Sequence, residues 1–205
     1  EKGILFTSLF AGLASSTALT LHFSRMARQT PTLSPLLASG ILLACGTMYL
    51  RILLYCAMIS PLLLGRLILP LLAMTLVLYL PALLIWRNHR NGTMVQQPTL
   101  HSNPLELKSA LVLGAVLTVI LLMASVLQQW LGNTGIYVLA TVSGITDVDA
   151  ITLSLTRMSQ SGLDSRTAIL GIIIASSVNN MMKAGMAVSI GGKAMLLRIA
   201  LPILL

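Results

Sequence analysis

Two carboxylates stand inside an apolar stretch of this sequence. Asp147 and Asp149 fall in a run from about Gly135 to Arg157 that is long enough to cross a bilayer. A charged side chain is costly in a membrane, so such acids typically serve an ion or proton pathway or pair with a base. The two lie roughly 200° apart around a regular helix, so only one of them can face a given partner.

The polar spacing around these acids singles out Asp149. One stripe at helical spacing crosses an otherwise apolar cylinder, and it consists of Thr146, Asp149, Thr152 and Thr156. We therefore assign the central role to Asp149. Asp147 shares that role if the helix is locally unwound at this point.

Buried bases and amides on other segments offer partners for the acids. A later helix carries one polar face at positions i, i+3, i+4 and i+7, formed by Ser176, Asn179, Asn180 and Lys183. The corresponding part of an earlier helix holds Thr47 and Arg51. A base at the bilayer centre costs at least about 2.5 kcal/mol, so Lys183 is expected to pair with one of the aspartates. Arg51 is a second candidate for such a pair.

The composition indicates a membrane protein. The chain has 205 residues, of which 56% are hydrophobic and 9% are charged, whereas soluble domains have roughly 25% charged residues. The net charge of +8 falls mostly at the ends of apolar runs. It therefore reflects membrane topology and not nucleic-acid binding.

The apolar runs predict an all-α, polytopic membrane protein with about seven transmembrane helices, the last one incomplete. The expected helices cover about 3–24, 35–59, 62–86, 105–131, 135–157 and 165–190, with a seventh from about 193. The loops after helices one, three and five are the more basic, which places them in the cytoplasm. Because the sequence begins at Glu1 and stops inside an apolar run, we expect a fragment of a longer protein.

The two halves of the sequence align without a gap at an offset of 132 residues. Gly12 matches Gly144, and Thr20 matches Thr152. This predicts a first repeat of three helices over 1–87, a polar linker over 88–106, and a second repeat of four helices over 107–205. Parallel and inverted arrangements of the repeats both remain open, and either predicts a site at the repeat interface near the bilayer midplane.

In the first repeat hydroxyl side chains replace the aspartates. The predicted ion- or solute-binding set therefore comprises Asp149, Asp147, Thr146, Thr152, Ser15, Ser16, Thr17, Thr20, Asn179, Asn180, Lys183 and Arg51.

Two segments carry a resemblance to a known family. Gly12-Leu13-Ala14-Ser15-Ser16-Thr17-Ala18-Leu19-Thr20 and Gly144-Ile145-Thr146-Asp147-Val148-Asp149-Ala150-Ile151-Thr152 resemble paired signatures of the C-terminal membrane domain, of unknown function, in MgtC/SapB family bacterial proteins. The resemblance implies a multi-pass protein of the bacterial cytoplasmic (inner) membrane and an upstream MgtC-like domain in the same protein. It supplies no activity and no site residues.

Two function classes follow from these observations. The repeat and the buried charges favour a transporter or channel for a small ion or solute. The alternative is a non-transporting membrane regulator or scaffold that binds another membrane protein, in which the charges only fix helix packing.

We expect no enzyme. The membrane aspartates share one segment, and the sequence has neither zinc-ligand spacing nor a nucleophile elbow. The expected partners are the lipid bilayer and the solute, with no cofactor, no metal site and no nucleic acid; a homo-oligomer is compatible with the sequence.

Overall fold

The computed structural model describes residues 2–89, 107–192 and 195–204, and every regular element in this part of the chain is helical. The helices are α1 (Lys2–Gln29), α2 (Ser34–Ile59), α3 (Pro61–Asn88), α4 (Leu107–Leu131), α5 (Asn133–Thr146), α6 (Asp149–Gln160), α7 (Ser165–Gly191) and the short α8 (Leu201–Leu204). A 3-10 turn covers Pro31–Leu33, and a π-helical turn covers Leu196–Ala200. The predicted all-α class is confirmed.

Three segments are long and apolar enough to cross a membrane. Among the described residues they are Pro31–Ile59, Pro61–Asn88 and Ser165–Gly191. The middle one, α3, exposes an apolar face that includes Leu69, Leu76, Leu80 and Leu84, with the exposed Arg66 near its N-terminal end. An exposed face of large apolar side chains suits contact with lipid tails. The long apolar helices thus indicate a membrane protein.

The fold consists of two compact units. The first contains the described parts of Glu1–Arg51, Pro70–Leu100 and Asn180–Leu205, and the second contains those of Ile52–Leu69 and His101–Asn179.

Large apolar side chains form the core of the first unit, with Phe23, Leu37, Met48 and Leu71 fully buried. A hydrogen bond of 2.9 Å between the Thr47 and Tyr79 hydroxyls ties α2 to α3.

The second unit is built around α4, which packs against α5 and α6. Its core contains the fully buried Ile136, Leu155 and Ile172. Two further contacts join its segments: Cys56 Sγ lies 3.8 Å from Thr156 Oγ1, and the Gln160 side-chain amide donates to the Ile59 carbonyl.

Two helices differ from their expected form. The first extends to Gln29, beyond the expected end at Ser24, and it contains one non-helical residue, Ser15. The expected single helix over 135–157 is instead two helices, α5 and α6, separated at Asp147 and Val148. Aspartate and threonine are poor helix-interior residues, and aspartate favours helix starts, so the sequence around Asp147 promotes this interruption.

Parts of the predicted organisation lie outside the described residues. This holds for residues 90–106 of the expected linker and for 193–194, where the seventh segment was expected to begin.

Candidate functional site

The interruption between α5 and α6 creates a polar position in an apolar chain. Asp147 has extended backbone (φ −154°, ψ 149°), and its N–H still donates to the Ser143 carbonyl at 2.9 Å. Helix α6 then starts at Asp149, which lies in its first turn. Helix ends leave carbonyl groups at the C-terminus and N–H groups at the N-terminus without intrahelical partners, with opposite partial charges. Such interrupted helices provide backbone ligands for ions and charged solutes within membranes.

A side chain of α7 holds the end of α5 in place. Asn179 Nδ2 donates to the Gly144 carbonyl at 2.9 Å, within the second unit. The two backbones approach closely here, because a Cβ atom at Gly144 would lie 2.5 Å from the Ala175 carbonyl oxygen. Glycine therefore permits the contact that brings the Asn179 amide to the end of the helix.

Hydroxyl groups line the buried side of α6. Thr152 and Ser154 are fully buried, and neither hydroxyl oxygen has a hydrogen-bond partner within the described part of the chain. Thr156 Oγ1 donates instead to the Thr152 carbonyl at 2.7 Å. Asp149 is half-buried, whereas Thr146 and Asp147 are exposed. Because α6 begins at Asp149, Thr146 does not belong to the same helix as Thr152 and Thr156, so the expected four-residue stripe is divided.

The first unit contains a second interruption, at Ser15. This residue also has extended backbone (φ −160°, ψ 99°). Its exposed hydroxyl accepts a hydrogen bond of 3.3 Å from the Ala18 N–H, so it caps the helical segment that follows. Of the neighbouring predicted residues, Ser16 and Thr20 are buried and Thr17 is half-buried. The Thr20 hydroxyl donates to the Ser16 carbonyl at 2.8 Å.

Helix α7 carries the predicted polar face, and all of its members are buried: Ser176, Asn179, Asn180 and Lys183. In the first unit Asn180 Nδ2 donates to the Tyr49 hydroxyl at 2.8 Å. Lys183 Nζ lies 3.3 Å from Met48 Sδ. Arg51, on α2, is buried as predicted.

The structure thus joins some predicted residues to groups that the sequence analysis did not identify. Tyr49 is the clearest of these. Tyrosine is typical of membrane interfaces, so a tyrosine near the middle of the apolar helix α2 was an available signal. The expected pairing of Lys183 with Asp149 or Asp147 stays a prediction.

Asp164 plays a separate part. Its Oδ2 accepts a hydrogen bond of 3.0 Å from the Thr167 N–H at the start of α7. It is therefore a helix cap.

The helical fold of the described residues and its three long apolar segments indicate a membrane protein. The chain belongs to the family described as a domain of unknown function, DUF4010, whose model matches residues 1–191. It is similar to an uncharacterized protein of Aquifex aeolicus (strain VF5), with 34% identity over 195 residues that cover 93% of this chain and 83% of that protein. No solved structure matches the chain.

Proposed function

We propose that this protein is a transporter or channel for a small ion or solute, with its binding site at the interruption between α5 and α6. The observation that carries the proposal is the coincidence of three features at one place. The helix is broken at Asp147, a carboxylate opens the next helix at Asp149, and buried hydroxyls follow at Thr152 and Ser154. A purely structural helix has no need of such a cluster in an apolar chain.

An internal repeat is the second part of the proposal. Shifting α2 (Ser34–Ile59) by 132 residues gives 166–191, which nearly coincides with α7 (Ser165–Gly191). The same shift moves α1 (Lys2–Gln29) onto 134–161, which nearly coincides with the range 133–160 that α5 and α6 cover together.

The same shift also pairs the two interruptions, because it moves Ser15 onto Asp147. Matching breaks at matching positions support a repeat over 1–87 and 107–205 joined by the linker 88–106. Transporters with internal repeats commonly use interrupted helices as binding sites.

The chemistry of the site favours a cation. Asp149 supplies a negative charge, and the hydroxyl oxygens and the carbonyl end of α5 are oxygen ligands of the kind that cations take. The other residues proposed for the binding site are Asn179, Asn180, Lys183, Arg51 and the hydroxyl residues around Ser15. The two bases among them, Lys183 and Arg51, also suit a bound anion, or they balance the charge of the aspartates during proton coupling. A panel of solutes therefore decides the substrate class.

The cellular setting is also proposed. A multi-pass protein of the bacterial cytoplasmic membrane, with an upstream MgtC-like domain in the same protein, agrees with the resemblance of Gly12–Thr20 and Gly144–Thr152. Its partners are then the bilayer and the solute, without enzymatic activity.

The test is a flux assay in proteoliposomes that contain the full-length protein. Divalent cations, monovalent cations and simple anions are offered in turn, with a pH-sensitive dye inside the vesicles. Asp149→Asn should abolish the flux while leaving a folded protein, because it removes the charge but keeps the side-chain shape. Asp164→Asn is the matched control and should retain the flux, since asparagine also caps helices.

Flux that is unchanged in Asp149→Asn contradicts the assigned site. No flux of any solute with the unaltered protein contradicts transport and favours the regulator, for which a partner pull-down is the next experiment. In that case Asp149→Asn should only lower stability. Adding Lys183→Met should then restore about 1–3 kcal/mol of unfolding free energy if the two charges are paired.

A further inference from the structure

A cavity of about 270 Å³ lies within the first unit. Its apolar wall is formed by α3 and the C-terminal segment, through Ala73, Met74, Val77, Leu78, Pro202 and Ile203. Its polar side consists of Tyr49 on α2 and Asn180 on α7. The volume lies just under the roughly 300–1,000 Å³ of drug-sized sites, so it suits a single ring or a short chain.

The polar side of the cavity has unused hydrogen-bonding capacity. Asn180 is 3% exposed, and its Oδ1 has no hydrogen-bond partner within the described residues. Its Nδ2 donates to the Tyr49 oxygen, so the Tyr49 hydroxyl keeps its own proton for a further acceptor. A buried acceptor without a partner costs free energy, and a ligand that donates to it recovers that cost.

These two groups define the chemistry of the occupant. A ligand that satisfies both must accept a hydrogen bond from Tyr49 and donate one to Asn180, and a single hydroxyl group does both. None of the described residues that line the cavity is charged, and burying an unpaired charge is far costlier than burying a hydroxyl. The rest of the ligand must be apolar to match the wall.

The cavity is also placed for entry from the membrane. Val77 and Ala73 are exposed on the apolar surface of α3, where lipid tails would lie. Tyr49 and Met74 are both near the middle of their apolar helices. A small uncharged molecule that dissolves in the bilayer can therefore reach the cavity directly.

We infer that this cavity binds a small uncharged alcohol. Its hydroxyl group bridges Tyr49 and Asn180, and its apolar body contacts α3 and the C-terminal helix α8. The inference does not rest on the proposed transport function, because binding is measured without flux.

Fluorine NMR of para-fluorobenzyl alcohol with the full-length protein in phosphatidylcholine nanodiscs tests this assignment. The probe should bind saturably, and para-fluorotoluene, which lacks the hydroxyl, should bind about tenfold more weakly or worse. Val77→Trp fills the mouth of the cavity and should weaken binding of the alcohol at least about tenfold. Leu80→Trp, at an exposed position of the same helix that does not line the cavity, should leave binding unchanged.

Asn180→Leu removes the hydrogen-bond acceptor and should weaken binding of the alcohol about tenfold, without affecting binding of para-fluorotoluene. If that variant fails to fold, Val77→Trp still decides, since Val77 is 40% exposed and tolerates a larger side chain. Absence of saturable binding, equal binding of the two probes, or full binding by Val77→Trp would each overturn the inference.

Discussion

Gly144 is the residue at which the backbone of α5 comes close to α7. Gly144 has no room for a side chain on the side that faces α7, because a Cβ atom would lie 2.5 Å from the Ala175 oxygen and 3.0 Å from the Ala175 Cα. The same peptide unit presents its carbonyl to Asn179. One glycine thus permits both a close helix contact and a hydrogen bond three residues before the break, so its replacement should disturb the proposed site as well as the packing.

We expect Gly144→Ala to lower the free energy of unfolding by about 1–3 kcal/mol, because the helices must separate to admit a methyl group. Equilibrium unfolding in mixed detergent micelles measures this change. Gly185→Ala is the matched control, since at this exposed position of α7 a Cβ would meet no described atom within 4 Å apart from its chain neighbours and its own helix backbone. It should be neutral or stabilising by up to about 1 kcal/mol, as alanine is the better helix former. Equal effects at both glycines would contradict the close contact.

Among the helices, the interruptions in α1 and between α5 and α6 are related elements with different side chains. In each, one residue takes extended backbone and a helical segment begins within two residues of it. Serine holds this position at 15 and aspartate at 147, and both residue types are good helix caps. The Ser15 hydroxyl caps the segment that follows it, whereas α6 begins after Val148, which makes no side-chain cap. The two breaks therefore share a matching position and an extended residue, and the negative charge belongs to the second break only.

Replacing the cap in α1 tests this comparison. Ser15→Ala should lower the unfolding free energy by about 1 kcal/mol, because the Ala18 N–H loses its acceptor. Ser15→Asp, which introduces the residue of the related position, should retain the stability because aspartate also caps and interacts favourably with a helix N-terminus. Thermal unfolding of the purified protein measures both variants. A stability of Ser15→Ala equal to that of the unaltered protein would show that the hydroxyl is not a cap.

At the scale of the whole molecule, the membrane topology depends on the path of α5 and α6. Together they span Asn133–Gln160. A straight helix of similar length, such as the 28 residues of α1, would extend about 42 Å. This exceeds the roughly 30 Å of a hydrocarbon core, so α5 and α6 are long enough to cross it as one interrupted span. A re-entrant path would return the chain to its starting side and invert the relation of the repeats.

Cysteine labelling distinguishes these paths. In a protein in which Cys45 and Cys56 are replaced by alanine, we expect a membrane-impermeant maleimide to reach Ser161→Cys and His101→Cys from the cytoplasmic side only. Asn133→Cys should react from the opposite side only, because α5 and α6 cross between it and Ser161. Both Asn133 and Ser161 are exposed, so each offers an accessible thiol. Labelling of Ser161→Cys and Asn133→Cys from the same side would establish the re-entrant path instead.

The sequence by itself determined the class of protein and the positions of its polar residues. Run length and hydropathy are local properties that sum along the chain, so the all-helical class, the three long apolar segments and the buried face of α7 could be predicted from residue types. The unusual acids at 147 and 149 were equally visible, because a charge in an apolar run is conspicuous without any knowledge of its neighbours.

Only the tertiary structure decided what those residues contact. Periodicity gives the direction of a side chain around its own helix, but not the partner that packs there. Asn179 and Asn180 were predicted on one face, yet one donates to the Gly144 carbonyl and the other to the Tyr49 hydroxyl. The close contact of Gly144 with Ala175, three residues before the break, is likewise visible only in the tertiary structure. These are long-range interactions, which a pattern along a single chain does not encode.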